Sequence, residues 1–318
     1  MTIPAFDFGA LGGTQFWIGV GIIAGVYGIF TLGLQLNVGY TGIYNFGQVG
    51  FMAVGAYAMG ILVVHSHLSF WLALPIATLI AMAGAMVVGL PSLRLRADYF
   101  AIATIAFAEI VRYAAQNARG LTGGNQGLLG FDSQWSSVSK SIADALGLGF
   151  DLYLVPLLIV TWVLFVVLAL AMRLLVRTPW GRVLRGIRED EDAVRALGKN
   201  PFPYKLQSLA IASALGALSG YLLALDLAFL NPQEFISAFT FIGYAMLILG
   251  GLGSWAGVVV GAILMEFLLE ATRSIDLPLA GDKVAALRFI IVGLALILLM
   301  AFRPQGIFGR REEMVLGE

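Results

Sequence analysis

Nine apolar runs of bilayer-spanning length divide this 318-residue chain, at 16–36, 46–64, 70–90, 98–115, 152–175, 207–230, 237–252, 255–272 and 284–302. A hydrocarbon core takes about 20 apolar residues per helix. Only 12% of the residues are charged, against about 25% in soluble domains. No stretch alternates apolar and polar residues over barrel-strand lengths, which excludes a β-barrel. The expected fold is therefore all-α. It is a polytopic transmembrane helical bundle of about nine spans (eight to ten), with residues 1–318 forming one membrane domain. The runs 46–64 and 237–252 are short and glycine-rich and are expected to be bent or re-entrant. A further re-entrant piece near 37–45 is compatible with the pattern. Thirty-nine glycines in an apolar chain point to close helix packing. Gly50–Ala56 loosely matches Gly257–Ala262, a hint of an internal repeat.

Charge is concentrated in one place. Met172–Leu206 holds eight of the nineteen Lys/Arg residues and four of the nineteen acids. Cytoplasmic loops carry the Lys/Arg excess, so 173–206 is expected to be a cytoplasmic platform. Thirteen Lys/Arg then fall inside. They are the eight of the platform with Arg94, Arg96, Arg303, Arg310 and Arg311. Six fall outside, namely Arg112, Arg119, Lys140, Arg273, Lys283 and Arg288. This places the N-terminus outside and the C-terminus inside. Residues 116–151 form the longest outer loop, with Trp135 and Phe150 as interface candidates. No Lys or Arg precedes Arg94, so the basic region of a cleaved signal peptide is missing. The net charge of zero does not point to nucleic acid.

Within the platform, Thr178 is a candidate cap and Pro179 suits the first position of a helix. Trp180, Val183, Leu184 and Ile187 recur at helical spacing as one apolar face. Arg182, Arg185 and Arg188 fall mostly on the other. A second short helix starts near Asp190, with Ala193, Val194 and Leu197 apolar. Gly198 is its expected stop, and Asn200-Pro201 ends it. The pattern admits two readings, a docking surface for a soluble partner or a charged loop lying under the membrane.

The other polar cluster is Asn37–Tyr57. Asn37, Thr41, Asn45 and Gln48 lie at membrane depth among five glycines. Unwound backbone in a bilayer is tolerated only against protein or a wet cavity. Half-helix ends beside such breaks bind zwitterions. Small residues and amides also serve plain helix packing. Glu109, Asp226 and Glu266 are expected near the outer helix ends. There they either meet an incoming ammonium group or reach the interface, and Glu109 has Arg112 as an i, i+3 partner. The substrate-path candidates are Asn45, Gln48 and Glu109, with Tyr44 and Thr104 from the neighbouring stretches.

No cysteine is present, so thiolate chemistry and disulfides are excluded. No phosphate loop of the Gly-x-x-x-x-Gly-Lys-[Ser/Thr] type occurs. His65 and His67, the only histidines, share a short outer turn and read as loop residues. No metal site, cofactor or enzymatic activity is expected.

Four stretches together resemble one family. They are Gly181-Arg182-Val183-Leu184-Arg185-Gly186-Ile187-Arg188-Glu189-Asp190-Glu191 with Ala193-Val194-Arg195-Ala196-Leu197-Gly198; Asn37-Val38-Gly39-Tyr40-Thr41-Gly42 with Phe46-Gly47-Gln48; Leu93–Ile102 with Phe107–Arg112; and Gly250–Ser254 with Arg303–Gly309. In this order they resemble the branched-chain amino acid ABC transporter permeases of the LivM type. The resemblance implies an importer subunit in a bacterial or archaeal cytoplasmic membrane. Its partners would be a LivH-like permease, two ATPase subunits that hold the ATP, and an extracytoplasmic substrate-binding protein. It marks Trp180, Arg182, Leu184, Ile187, Arg188, Glu191, Ala193, Leu197 and Gly198 as the ATPase-coupling residues. Two positions depart from the family pattern. Asn45-Phe46-Gly47-Gln48 stands where the family often has Ser-Leu-Gly-His, and Asp192 stands where it usually has an apolar residue. The first leaves urea or a short-chain amide open as substrate. A self-sufficient secondary transporter or channel is the rival of another class, and it would need a coupling-ion site beyond the three outer-half acids.

Overall fold

A computed structural model describes residues 13–147 and 152–273, together with 290, 293, 294, 297 and 306–308. The described residues form helices, with no strand among them beyond an isolated bridge, Leu128 to Leu230. Helix α1 (Thr14–Leu34) continues into a π-helical turn, Gln35–Thr41. Next come α2 (Gln48–Val64), α3 (Phe70–Ser92) and α4 (Ala97–Asn117). A short amphipathic α5 (Ser133–Ala145) precedes α6 (Val155–Arg177). The platform is α7 (Pro179–Glu189) and α8 (Glu191–Ala196). The remaining helices are α9 (Pro201–Leu227), α10 (Ala238–Gly250) and α11 (Trp255–Arg273).

Eight of the nine expected runs are thus helices, and the ninth, 284–302, lies almost wholly outside the described residues. Four are long and apolar enough to cross a membrane by themselves: Thr14–Thr41, Phe70–Ser92, Val155–Arg177 and Pro201–Leu227. Burial divides these four into two classes. The most apolar stretches of Thr14–Thr41 and α9 are 78% and 83% buried, against 28% for those of α3 and α6. The first span and α9 are therefore the centre of the bundle, and α3 and α6 are its walls.

Small residues set these contacts. On α3, Ala73, Ala77, Ala81, Ala85 and Gly89 recur every fourth residue and are buried, whereas Leu72, Leu79, Val87 and Leu90 are exposed. The small stripe lets α3 approach α9 and α2 closely, and the large residues are left for lipid. On α1, Gly21, Gly25 and Gly28 receive Leu158, Thr161 and Phe165 of α6. The two loosely similar glycine patterns both mark close crossings. Gly55 faces the Ala217 backbone of α9, and Gly261 of α11 faces the Met246 backbone of α10.

Several expectations are corrected. No separate re-entrant piece occupies 37–45, because the π-turn extends the first span through Thr41 and a non-helical stretch follows. The platform is shorter than its charge pattern: α6 runs to Arg177, and α9 starts at Pro201, six residues before the expected span. Asn200 caps α9 by accepting from the Phe202 N–H (3.1 Å). The segment 116–151, expected as an outer loop, is not bare loop. It contains α5, whose Trp135, Ser139 and Ala143 are buried at four-residue steps. Trp135 is therefore a packing residue at 5% exposure, while Phe150 lies outside the described residues. The turns at this end of the bundle are tied together. Gln134 accepts from the Phe70 N–H (2.9 Å), and His65 Nε2 lies 2.9 Å from the Leu121 carbonyl.

Candidate functional site

The site is built where the first span breaks. A π-turn widens the helix, so its backbone bonds reach back five residues rather than four. Gly42 ends it at φ +75°, a conformation that favours glycine. A Cβ there would also lie 3.1 Å from the Cα of Arg188. Residues 42–47 are non-helical, and α2 restarts at Gln48.

Side chains from two neighbouring helices satisfy the broken backbone. Thr104 of α4 accepts from the Phe46 N–H (3.1 Å), and Thr240 of α10 accepts from the Val49 N–H (3.1 Å). The Tyr244 hydroxyl donates to the Asn45 carbonyl (3.1 Å). Asn45 Oδ1 accepts from the Gly47 N–H (3.1 Å), and its Nδ2 donates to Gln48 Oε1 (2.9 Å). Gln48 Nε2 then donates to the Ala212 carbonyl of α9 (2.8 Å). Asn45, Gln48 and Thr104 are all fully buried. They form one network that holds the break closed, and this is how lipid-depth backbone stays satisfied.

The other two path candidates lie apart from that network. Tyr44 is 47% exposed. Glu109 stands on the C-terminal half of α4, pairs with Arg112 at 2.7 Å, and accepts from the Ser237 hydroxyl at 2.7 Å. Asp226 lines a cavity of about 620 Å³ at the far end from the platform, and Glu266 is buried on α11.

Within the π-turn the polar groups are less well matched. Ser208 of α9 sits 2.7 Å from Thr41 Oγ1 and donates to Asn37 Oδ1 at 3.2 Å. Both polar atoms of the Gln35 side chain, and Asn37 Nδ2, are buried with no hydrogen-bond partner among the described residues. Each such orphan costs about 1–3 kcal/mol. The turn is thus the least satisfied element of a well-packed core.

The platform sits directly on this turn. In α7, Gly181, Leu184 and Ile187 are buried and Trp180 is half-buried, its Nε1 donating to Gln207 (2.8 Å). The expected outward ridge is therefore corrected: Leu184 and Ile187 face the protein's own body, at 0% and 4% exposure. Seven of the eleven α7 residues, among them Trp180, Leu184 and Ile187, are buried or half-buried, and an isolated helix this short is marginal without such packing. Arg188 is not a rim charge either. Its Nη1 donates to the Gly39 carbonyl inside the π-turn. Thr178 occupies the cap position, but its hydroxyl bonds back to Leu175 (2.7 Å) rather than capping α7.

In α8, Asp190 is the working cap and accepts from the Asp192 and Ala193 N–H groups (2.9 and 3.0 Å). Glu191 bridges Arg195 (2.6 Å) and Lys205, which locks α8 to the start of α9. Of the three residues expected to be its apolar face, Ala193, Val194 and Leu197, only Val194 is buried. Ala193 is exposed, and Leu197 is 82% exposed, followed by Gly198 at φ +77°. Arg182 and Arg185 are exposed as expected.

The C-terminal motif contributes to the same end. The N–H groups of Ile307 and Phe308 donate to the Leu249 and Gly250 carbonyls (both 2.9 Å), which closes the last turn of α10. Sequence reasoning missed Gln35, Ser208, Thr240, Tyr244 and Lys205. The i, i+4 spacing of Thr240 and Tyr244 in an otherwise apolar run was the one available signal.

The sequence was compared with known proteins. The family described as "Branched-chain amino acid transport system / permease component" matches residues 18–300. The high-affinity branched-chain amino acid transport system permease protein LivM of Escherichia coli is 35% identical over 89% of this chain and 67% of its own length. A probable LivM permease of Methanocaldococcus jannaschii is 26% identical over 89% of this chain and 90% of its own. The LivH permease of Escherichia coli is 27% identical over 48% of this chain and 47% of its own. No solved structure matches. With residues 18–300 matched, the chain belongs to the family of branched-chain amino acid transport system permease components.

Proposed function

We propose that this permease imports branched-chain amino acids as one half of a two-permease channel. In this reading a LivH-like subunit is the other half, two ATPases dock below, and a binding protein delivers substrate from outside. The observation that carries it is the seating of α7 on the broken first span, with Arg188 holding the Gly39 carbonyl. A platform lying on a break can turn movement below the membrane into movement within it. The orphaned amides of Gln35 and Asn37 supply the second half of such a switch, because a shifted π-turn offers them new partners. Tyr44 and Phe241 remain about half exposed beside the break. They mark the face on which a second permease would complete the path. Asn45, Gln48 and Thr104 then hold the break rather than touch substrate.

The test is reconstitution in liposomes. The complete set of subunits with ATP should take up leucine and leave urea and acetamide outside. The chain alone should move no amino acid under any ion gradient. Urea uptake by the full set would replace the substrate, and gradient-driven uptake by the lone chain would replace the class.

Orientation, with N-terminus outside and C-terminus inside, is part of the same proposal and rests on the Lys/Arg split. A cysteine-free chain permits single labels. An impermeant thiol reagent should reach Ser137→Cys from outside and should reach Lys199→Cys only after the membrane is opened. Both residues are exposed, whereas Ser208 at the start of the α9 span is fully buried and would not report. The reverse labelling pattern would invert the topology.

A further inference from the structure

We infer that the platform end carries a site for the phosphate headgroup of an anionic phospholipid. A cavity of about 470 Å³ opens between the last turns of α6, the helix α7 and the turn after α10. Arg173, Arg177, Arg185 and Arg188 line it, with Ser254 and Phe308. No carboxylate lines it among the described residues. A general excess of arginine at one membrane face would scatter around the rim. Here the guanidinium groups of Arg173, Arg177 and Arg185 line a single hollow. Their planar forks suit the oxygens of a phosphate.

Helix α6 supplies the reason for a lipid rather than a soluble anion. Val163, Val167, Leu170 and Leu174 are each about half exposed or more. They follow one another at three- and four-residue steps, and Arg177 continues the same face. One apolar stripe therefore runs down the wall of the bundle and ends in the arginines. Acyl chains match the stripe and a phosphate matches its end. Basic pockets between membrane helices on the cytoplasmic side take anionic headgroups in this way.

The test uses the full-length chain, purified in detergent and stripped of lipid. Bound phosphatidylglycerol and phosphatidylcholine are counted by native mass spectrometry. Arg173→Gln/Arg177→Gln should weaken phosphatidylglycerol binding about 25-fold, at about fivefold for each arginine near a lipid phosphate. Phosphatidylcholine binding should be weak and equal in both proteins. Arg173→Lys/Arg177→Lys should recover part of the affinity. The lipid-free unfolding midpoint serves as the fold control. If the double glutamine variant fails it, Arg185→Gln, exposed on the platform, gives the same reading at about fivefold. Equal phosphatidylglycerol binding by wild type and variant overturns the site. Displacement of the lipid by millimolar inorganic phosphate makes it a free-anion site. If the complex assembled with its ATPases retains the same lipid count in wild type and variant, the hollow is a protein interface and the proposal falls.

Discussion

Arg188→Gln is expected to lower ATP-driven uptake by about one to two orders of magnitude while the ATPases stay bound and keep hydrolysing. Arg188 is the one platform side chain whose described hydrogen bond enters the π-turn, at the Gly39 carbonyl. A hydrogen bond from a charged donor is worth about 1.5–3 kcal/mol, and each ~1.4 kcal/mol is a factor of ten. The surroundings of Arg188 remain in place in the variant, because Leu184, Ile187 and Gly181 still seat α7. Leu197→Asp should behave in the opposite way. Leu197 is 82% exposed at the far edge of α8, so the permease folds normally and the ATPase is lost. Leu184→Asp would place a carboxylate in a fully buried position and dislodge the platform itself, so it cannot report docking. The measurement is uptake, ATP hydrolysis and ATPase co-purification on the same proteoliposomes. If Arg188→Gln lowers uptake and hydrolysis together, Arg188 only holds the fold. If neither changes, coupling runs through another contact.

Gly220→Leu is expected to leave no folded permease. The crossing of α2 and α9 is made backbone to backbone. A Cβ at Gly220 would lie 1.9 Å from the Met52 carbonyl, and one at Gly55 would lie 2.3 Å from the Ala217 carbonyl. A side chain end can rotate away from such an overlap, but a helix backbone cannot. Overpacking costs about 1–3 kcal/mol where side chains can give way, so Gly220→Ala should exceed that range and Gly220→Leu should separate the helices. The separation also breaks the Gln48 bond to Ala212 two turns away, and with it the network around the break. Gly19→Ala is the control, since nothing lies within 4 Å of its added methyl. Detergent-extracted protein should run as one folded species for Gly19→Ala, with an unchanged unfolding midpoint. For Gly220→Leu it should be aggregated or absent. A monodisperse Gly220→Leu permease would show that the α2–α9 crossing is loose.

The helices were legible in the sequence because a bilayer imposes a length on each apolar run. Eight of the runs are helices close to where hydropathy puts them, and the two platform helices start at Pro179 and beside Asp190, where the pattern puts them. Local chemistry also reads correctly where it is self-contained. The second platform helix starts beside Asp190, Gly198 stops it, and Glu109 meets Arg112 one turn on. Burial was not legible at Leu184 and Ile187. An amphipathic helix announces an apolar face, but periodicity does not say whether that face meets the chain itself, lipid or another protein.

Residue order by itself determined that this protein lives in a membrane, that it is helical, and that its charges gather on one platform between the sixth and ninth helices. Those properties follow from solvent transfer and helical periodicity, which act within a single segment. Only the tertiary structure decided that Asn45, Gln48 and Thr104 close a break, that Arg188 reaches into it, and that Leu197 is the apolar residue left outside. Each of these depends on a partner far along the chain: Ala212 for Gln48, Phe46 for Thr104, Gly39 for Arg188. A hydrogen bond within reach of about 3 Å is set by how helices cross. The crossings in turn are set by where glycine and alanine let two backbones touch, and no single segment contains both sides of that contact.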